Sequence, residues 1–144
     1  MLVSLMYYSK VVPGIGGDGV ANILRSARKN NPSFDLTGIL YTNSRWFLQI
    51  LEGPRANVTR MFGILQSDNR HTEVTMINVK NIHERSFGDW SMAIIKNDPA
   101  VSDIIKEMTG MEVFDPSWLD YDQAHALLKR LSDDRLRELV PHFS

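Results

Sequence analysis

Two apolar runs, Leu36 to Thr42 and Trp46 to Glu52, meet across the short turn Asn43-Ser44, a spacing that antiparallel strands meet easily and helices do not. What flanks this hairpin narrows the fold further. Upstream, Leu2 to Tyr7 is apolar apart from Ser4 and reads as a buried strand. Val20, Ile23, Leu24 and Ala27 follow at the i, i+3, i+4, i+7 spacing of a helix face, and Pro32 enforces the end of that helix. Downstream, Gly53-Pro54 opens a second helix whose apolar face is Val58, Met61, Phe62 and Leu65. Glu73 to Ile82 and Trp90 to Ile95 complete the strands. The order β-α-β-β-α-β-β predicts an α+β sandwich of the ferredoxin-like, split-βαβ kind, with both helices on one face of the sheet.

From about residue 98 the texture changes. Val101, Ile104, Ile105 and Met108 form one helical stripe, with Gly110 as its stop signal. Tyr121, Ala124, Leu127, Leu128 and Leu131 form another, continued by Leu136, Leu139 and Val140 before Pro141. The chain is therefore expected to divide into a domain over 1–97 and a helical extension over 98–144. The extension needs an apolar surface, and the uncovered sheet face is the nearest one.

Composition excludes more than it selects. A net charge of -1, with basic residues scattered along 144 positions, gives no reason to expect a nucleic-acid partner. The chain has no cysteine, which rules out disulfides, thiolate catalysis and cysteine-ligated metals. His71, His83, His125 and His142 show no ligand spacing, so no metal site is expected. Gly14-Ile15-Gly16-Gly17 lacks the Lys-Ser/Thr that a phosphate loop requires. The apolar start of the chain ends at Tyr7, too early for a signal peptide or a membrane span, and a cytoplasmic protein is expected.

Three features resist a pure packing explanation. Strand alternation sets Gln49 in a row with Phe47 and Leu51, and a buried amide left unpaired costs roughly 1–3 kcal/mol, so something polar must meet it. Neighbouring backbone is the plainer partner. Tyr7 closes the first strand, where a tyrosine often simply wets its hydroxyl. Asn30-Asn31 precedes Pro32; the pair serves either as a helix cap or as amides presented to a planar hydrogen-bonding ligand.

Five segments in order resemble the BLUF family, photoreceptors that use FAD to sense blue light. They are Leu5-Met6-Tyr7-Tyr8-Ser9, Asn30-Asn31-Pro32 with Leu36-Thr37-Gly38-Ile39-Leu40, Phe47-Leu48-Gln49-Ile50-Leu51-Glu52-Gly53, Asp68-Asn69-Arg70-His71, and Phe87-Gly88-Asp89-Trp90-Ser91-Met92. The resemblance implies a flavin between the two helices, as FAD, with FMN or riboflavin as alternatives. Ile23 and Leu65 would sandwich the ring, with Leu40 and Phe47 beneath it. Asn31, with Asn30 beside it, would meet the pyrimidine edge. Arg28, Lys29, Asp68, Arg70 and His71 would meet the ribityl chain or phosphate, although for Arg28 and Lys29 a solvated helix face serves as well. Many relatives carry Ser where this chain has Ala27.

The same resemblance makes Tyr7 and Gln49 the photoactive pair. Tyr7 would give up an electron and then a proton on excitation, while the Gln49 amide rotates or changes tautomer. The missing cysteine excludes flavin photochemistry that bonds to a thiol. Trp90 and Met92, taken as lying on the last strand, would relay the change. The output would be a homo-oligomer or a downstream protein partner contacted through the C-terminal helices, with no turnover of a substrate. A flavin-free regulatory or ligand-binding domain on the same fold and a small flavin enzyme are the competing readings.

Overall fold

A computed structural model of the chain describes residues 1–14, 19, 22, 25–26, 29–30 and 32–136. Strand β1 (Leu2–Val11) is followed by a segment whose described residues, Gly19, Asn22, Arg25, Ser26, Lys29 and Asn30, are helical. Then come β2 (Thr37–Thr42), β3 (Trp46–Pro54), α1 (Arg55–Gln66), β4 (His71–Ile82), β5 (Ala93–Lys96), α2 (Pro99–Thr109), a 3-10 turn (Pro116–Trp118) and α3 (Tyr121–Leu136). The five strands lie in the order β4-β1-β3-β2-β5. β3 runs antiparallel between β1 and β2, and β1 runs antiparallel between β3 and β4. Each of the two β-helix-β units is thus split by a strand of the other, which is the ferredoxin-like α+β arrangement expected.

The hairpin forms where the sequence predicts it. Asn43 Oδ1 accepts from the backbone N–H groups of Arg45 and Trp46, both at 2.7 Å, so the side chain closes the turn. β3 runs on through Gly53 and Pro54, so the helix opens at Arg55, and β4 begins two residues early at His71; β1 and β5 depart further from expectation. β1 is longer than the apolar run because Tyr8 to Val11 keeps its ladder with β3 and β4. β5 begins at Ala93, and pairs in parallel with β2. Trp90 and Met92 therefore precede the last strand and do not lie on it. The Trp90 N–H turns back to Phe87 O at 3.3 Å, and its carbonyl, accepting from Gly38 N–H at 3.1 Å, is what reaches β2.

Period-2 alternation splits the core in two. Val3, Leu5, Tyr7, Leu40, Phe47 and Leu51 face α1 with Val58, Met61 and Met92. Met6, Ile39, Tyr41, Leu48 and Ile50 face α2 and α3 with Val101, Ile105, Ala124, Leu127, Leu128 and Leu131. The C-terminal helices thus cover the second sheet face, as their need for an apolar partner implied. Their ends carry strong local signals. Asp98 Oδ1 accepts from Val101 N–H at 2.9 Å and Pro99 starts α2. Gly110, at φ 72°, stops it in the left-handed conformation a side chain resists. Asp120 and Gln123 bond each other's backbone N–H at 2.8 and 3.0 Å, a capping box for α3. Leu139 and Val140 lie outside the described residues, and no helix among those described is long and apolar enough to cross a membrane.

Leu127 is fully buried where α3 meets the sheet. Leu127→Ala is expected to cost about 2–5 kcal/mol, read from the urea midpoint at unchanged m-value.

Candidate functional site

The sheet face under α1 does not close. A cavity of ≈ 760 Å³, its open mouth included, lies between the sheet, α1 and the first helical segment, a size suited to a small-molecule ligand. Leu40, Phe47 and Leu51 floor it, Met61, Ile64 and Leu65 of α1 form one wall, and Ser26 and Asn30 stand opposite. Asp68, Arg70 and His71 line it where α1 turns into β4. An apolar floor and one apolar wall, with polar groups in the sheet, on the opposite side and at the mouth, fit a flat aromatic ring that carries polar edges and a polar tail.

Strand register brings the polar centre together. Tyr7 lies directly opposite Gln49 across β1 and β3, and Gln49 lies opposite Leu40 across β3 and β2. Cross-strand partners share a face, so phenol and amide must meet. The Tyr7 hydroxyl donates to Gln49 Oε1. On its other side the amide nitrogen of Gln49 donates to Met92 Sδ at 3.3 Å. All three side chains are buried, Gln49 at 4% exposure, and Tyr7 and Gln49 form part of the cavity wall. Burial first, and the nearby charge of Asp68 second, push the Tyr7 phenol well above its usual range, so it keeps its proton.

At the mouth, the Asp68 carboxylate accepts from Arg70 Nε at 2.9 and 3.0 Å and pairs with Nη2 as well. The His71 ring is held from both ends, Nδ1 2.7 Å from Ser9 Oγ and Nε2 2.6 Å from Leu65 O. The carbonyl can only accept, so Nε2 carries a proton and donates to it. The ring stands edge-on to Tyr7 and Phe47, with centroids at 6.2 and 5.8 Å.

Of the residues singled out in the sequence, Tyr7, Asn30, Leu40, Phe47, Gln49, Leu65, Asp68, Arg70 and His71 line this one cavity. Lys29 is exposed and not part of the lining. Ile23, Arg28 and Asn31 lie outside the described residues. Met92 sits inside, beside Gln49, whereas Trp90 is half-buried against the opposite core, under the C-terminal helices. Sequence reasoning missed Ser26, Leu51, Met61 and Ile64 as lining. For α1 a signal existed: Ile64 follows Met61 at i+3 and adjoins Leu65, which widens the apolar face already read there. Among the described residues no cluster of His, Asp and Glu could hold a metal ion.

A ligand-binding α+β domain whose sheet buries a tyrosine–glutamine pair at the wall of an open cleft is the class these features define. Residues 2–93 match the family model described as sensors of blue light using FAD, and the chain belongs to this BLUF family. A domain of this family is a flavin-binding light sensor, not a catalyst. The chain is 27% identical over 126 residues to the photoactivated adenylate cyclase subunit beta of Euglena gracilis, covering 81% of this chain and 15% of that protein. It is 29% identical over 94 residues to the blue light- and temperature-regulated antirepressor BluF of Escherichia coli (strain K12), covering 65% of this chain and 23% of that one. The chain thus spans less than a quarter of the length of these relatives. Among solved structures, BlsA in its photo-activated state superposes with a TM-score of 0.82 at 28% identity, over 91% of this chain and 94% of that one. The dark state of BlrB, a BLUF protein, gives 0.77 at 31% identity, over 94% and 97%.

Arg70 holds the Asp68 carboxyl below its usual range, its side-chain hydrogen bonds being the largest cause. A carboxylate with a lowered folded-state pKa contributes stability that is present above the unfolded value of 3.8 and fades as pH falls through the folded one. Thermal unfolding of wild type and Asp68→Asn across acid pH should therefore show a wild-type advantage near neutrality that disappears well below pH 3.8.

Proposed function

We propose that the chain is a blue-light photoreceptor whose switch is the Gln49 amide, held between the Tyr7 hydroxyl and the Met92 thioether at the wall of a flavin cleft. That three-part contact is the observation on which the reading rests. FAD is taken as the flavin from the family's description; Asp68, Arg70 and His71 at the mouth suit the ribityl chain and phosphate that FAD and FMN share, with Asn30 against the ring. Riboflavin would engage the same floor without a phosphate at the mouth. Ile23, Arg28 and Asn31 are assigned to the same cleft from the family resemblance.

A bound flavin excited by blue light supplies an oxidant able to take an electron from a nearby phenol. Tyr7 is placed for that role in three respects. It lines the cleft, it carries its proton at all ordinary pH, and it already donates that proton's hydrogen bond to one acceptor, Gln49 Oε1. A phenol that has lost an electron becomes strongly acidic, so the proton moves along this bond to the amide oxygen. Return of the electron from the flavin and of the proton from the amide then restores Tyr7 and the starting redox state, and leaves the amide in either of two arrangements. Among the described residues the nitrogen end is held by sulfur, a weak acceptor, so rotation gives up little on that side. A rotated or tautomerised amide no longer holds Met92 as before, and Met92 lies two residues from Trp90 on the opposite core. The segment from residue 98 onward would carry the change to a protein partner or to a second copy of the chain.

Full-length protein reconstituted with FAD should shift its visible absorption reversibly to the red under blue light. Tyr7→Phe and Gln49→Leu should bind FAD and lose the shift. Bleaching instead of a red shift in wild type would refute the mechanism, and a colourless sample after reconstitution would favour the flavin-free reading.

A further inference from the structure

Gln49 and Glu52 stand on one strand, and alternation turns them to opposite faces of the sheet. Glu52 is 1% exposed, a charge in a place where carboxylates are rarely found unpaired. Its two oxygens accept from the backbone N–H groups of Ser86 and Phe87, each at 2.8 Å. The preceding residue tightens the grip: Arg85 donates to Thr37 Oγ1, Glu52 O and Asp35 O at 3.1, 3.3 and 2.8 Å. Burial raises the Glu52 carboxyl above its usual range, the two N–H groups and Arg85 opposing it. Such a group is costly to keep, and it is spent on fixing a connecting segment.

That connection joins the two faces. Its end is Met92, against Gln49 on the cleft side. Its middle is Phe87, buried in the core under the C-terminal helices, 5.5 Å from the ring of His125 and beneath Lys129. Ser86 Oγ lies 2.9 Å from His125 Nε2, and His125 stacks on Tyr121, whose hydroxyl donates to the buried Ser4. Between Phe87 and Met92 the chain is braced by the Trp90 N–H bond to Phe87 O and by Gly38, where an added Cβ would strike Ile50 O at 2.0 Å and press on Met92.

We infer that Glu52 is a positioning residue that anchors the 86–92 segment, so that displacement of Met92 at Gln49 is delivered through Ser86 and Phe87 to His125 on α3. This rests on the photoreceptor reading above. With the anchor in place the segment moves as a lever about residues 86–87; without it, motion at Met92 is absorbed in a slack loop and α3 is not informed. The anchor needs two acceptor oxygens. In Glu52→Gln one of the two N–H groups faces an amide NH₂ and loses its partner, while volume and shape are nearly kept.

The test is hydrogen–deuterium exchange on FAD-reconstituted full-length protein, in the dark and under blue light, with the absorption shift recorded on the same samples. Wild type should show a light-dependent exchange difference at 83–92 and at 121–136. Glu52→Gln should keep the red shift and lose the difference at 121–136. Ser86→Ala, which removes only the hydroxyl facing His125, should keep the difference at 83–92 and diminish it at 121–136. It also carries the test if Glu52→Gln does not fold. A wild-type difference confined to 83–92, or an undiminished difference at 121–136 in both folded variants, overturns the inference. Absence of a red shift in wild type would refute the photoreceptor reading itself, a different and separately visible failure.

Discussion

A primary amide buried in an apolar sheet is the constraint around which the rest is arranged. Gln49 cannot be left without partners, because an unmet donor or acceptor in the interior costs roughly 1–3 kcal/mol. β1 supplies a phenol directly across the ladder, and the segment before β5 supplies a thioether. Among the described residues its oxygen has a strong donor and its nitrogen a weak acceptor. The proposed switch rests on that imbalance, because a weakly held amide beside a ligand cleft can exchange partners at small cost.

The two faces of the sheet are built differently. One face is lined with Tyr7, Leu40, Phe47, Gln49 and Leu51 and remains open to a ligand; the other is filled by leucine and isoleucine under α2 and α3. Close packing on that second face makes it a poor place to absorb a small movement and a good place to transmit one. Residues 83–92 connect the two faces at one end of the sheet, with Met92 on the cleft side and Phe87 on the other, and the buried Glu52 holds that segment to β3.

Much of this was legible in the sequence because it is governed by local rules. The Asn43 turn, the stop at Gly110 and the alternation through Trp46 to Glu52 need only neighbours a few residues away, and each appears as expected. Tyr7 and Gln49 were legible as residue types out of place, and their contact follows once β1 and β3 are in register. What was not legible depends on long-range contacts. The alternation of Trp90, Met92 and Ile94 reads as one strand, yet Trp90 spends its N–H on Phe87 and escapes to the other face, 52 residues from the Gly38 that fixes its carbonyl. Glu52 looks like a solvent-facing strand end until the 86–87 backbone covers it. The half-exposed Ile64 reads as surface until the second helical wall makes it part of a cleft.

The behaviour of one amide group decides the central claim. Side-chain amide NMR on ¹⁵N-glutamine-labelled protein, with Gln49 separated from Gln66 and Gln123 by a Gln49→Glu control, follows that group in the dark, under blue light and during recovery. Its resonances should move on illumination and return at the rate at which the flavin absorption recovers. A Gln49 amide that stays in place while the flavin spectrum shifts and recovers would contradict it.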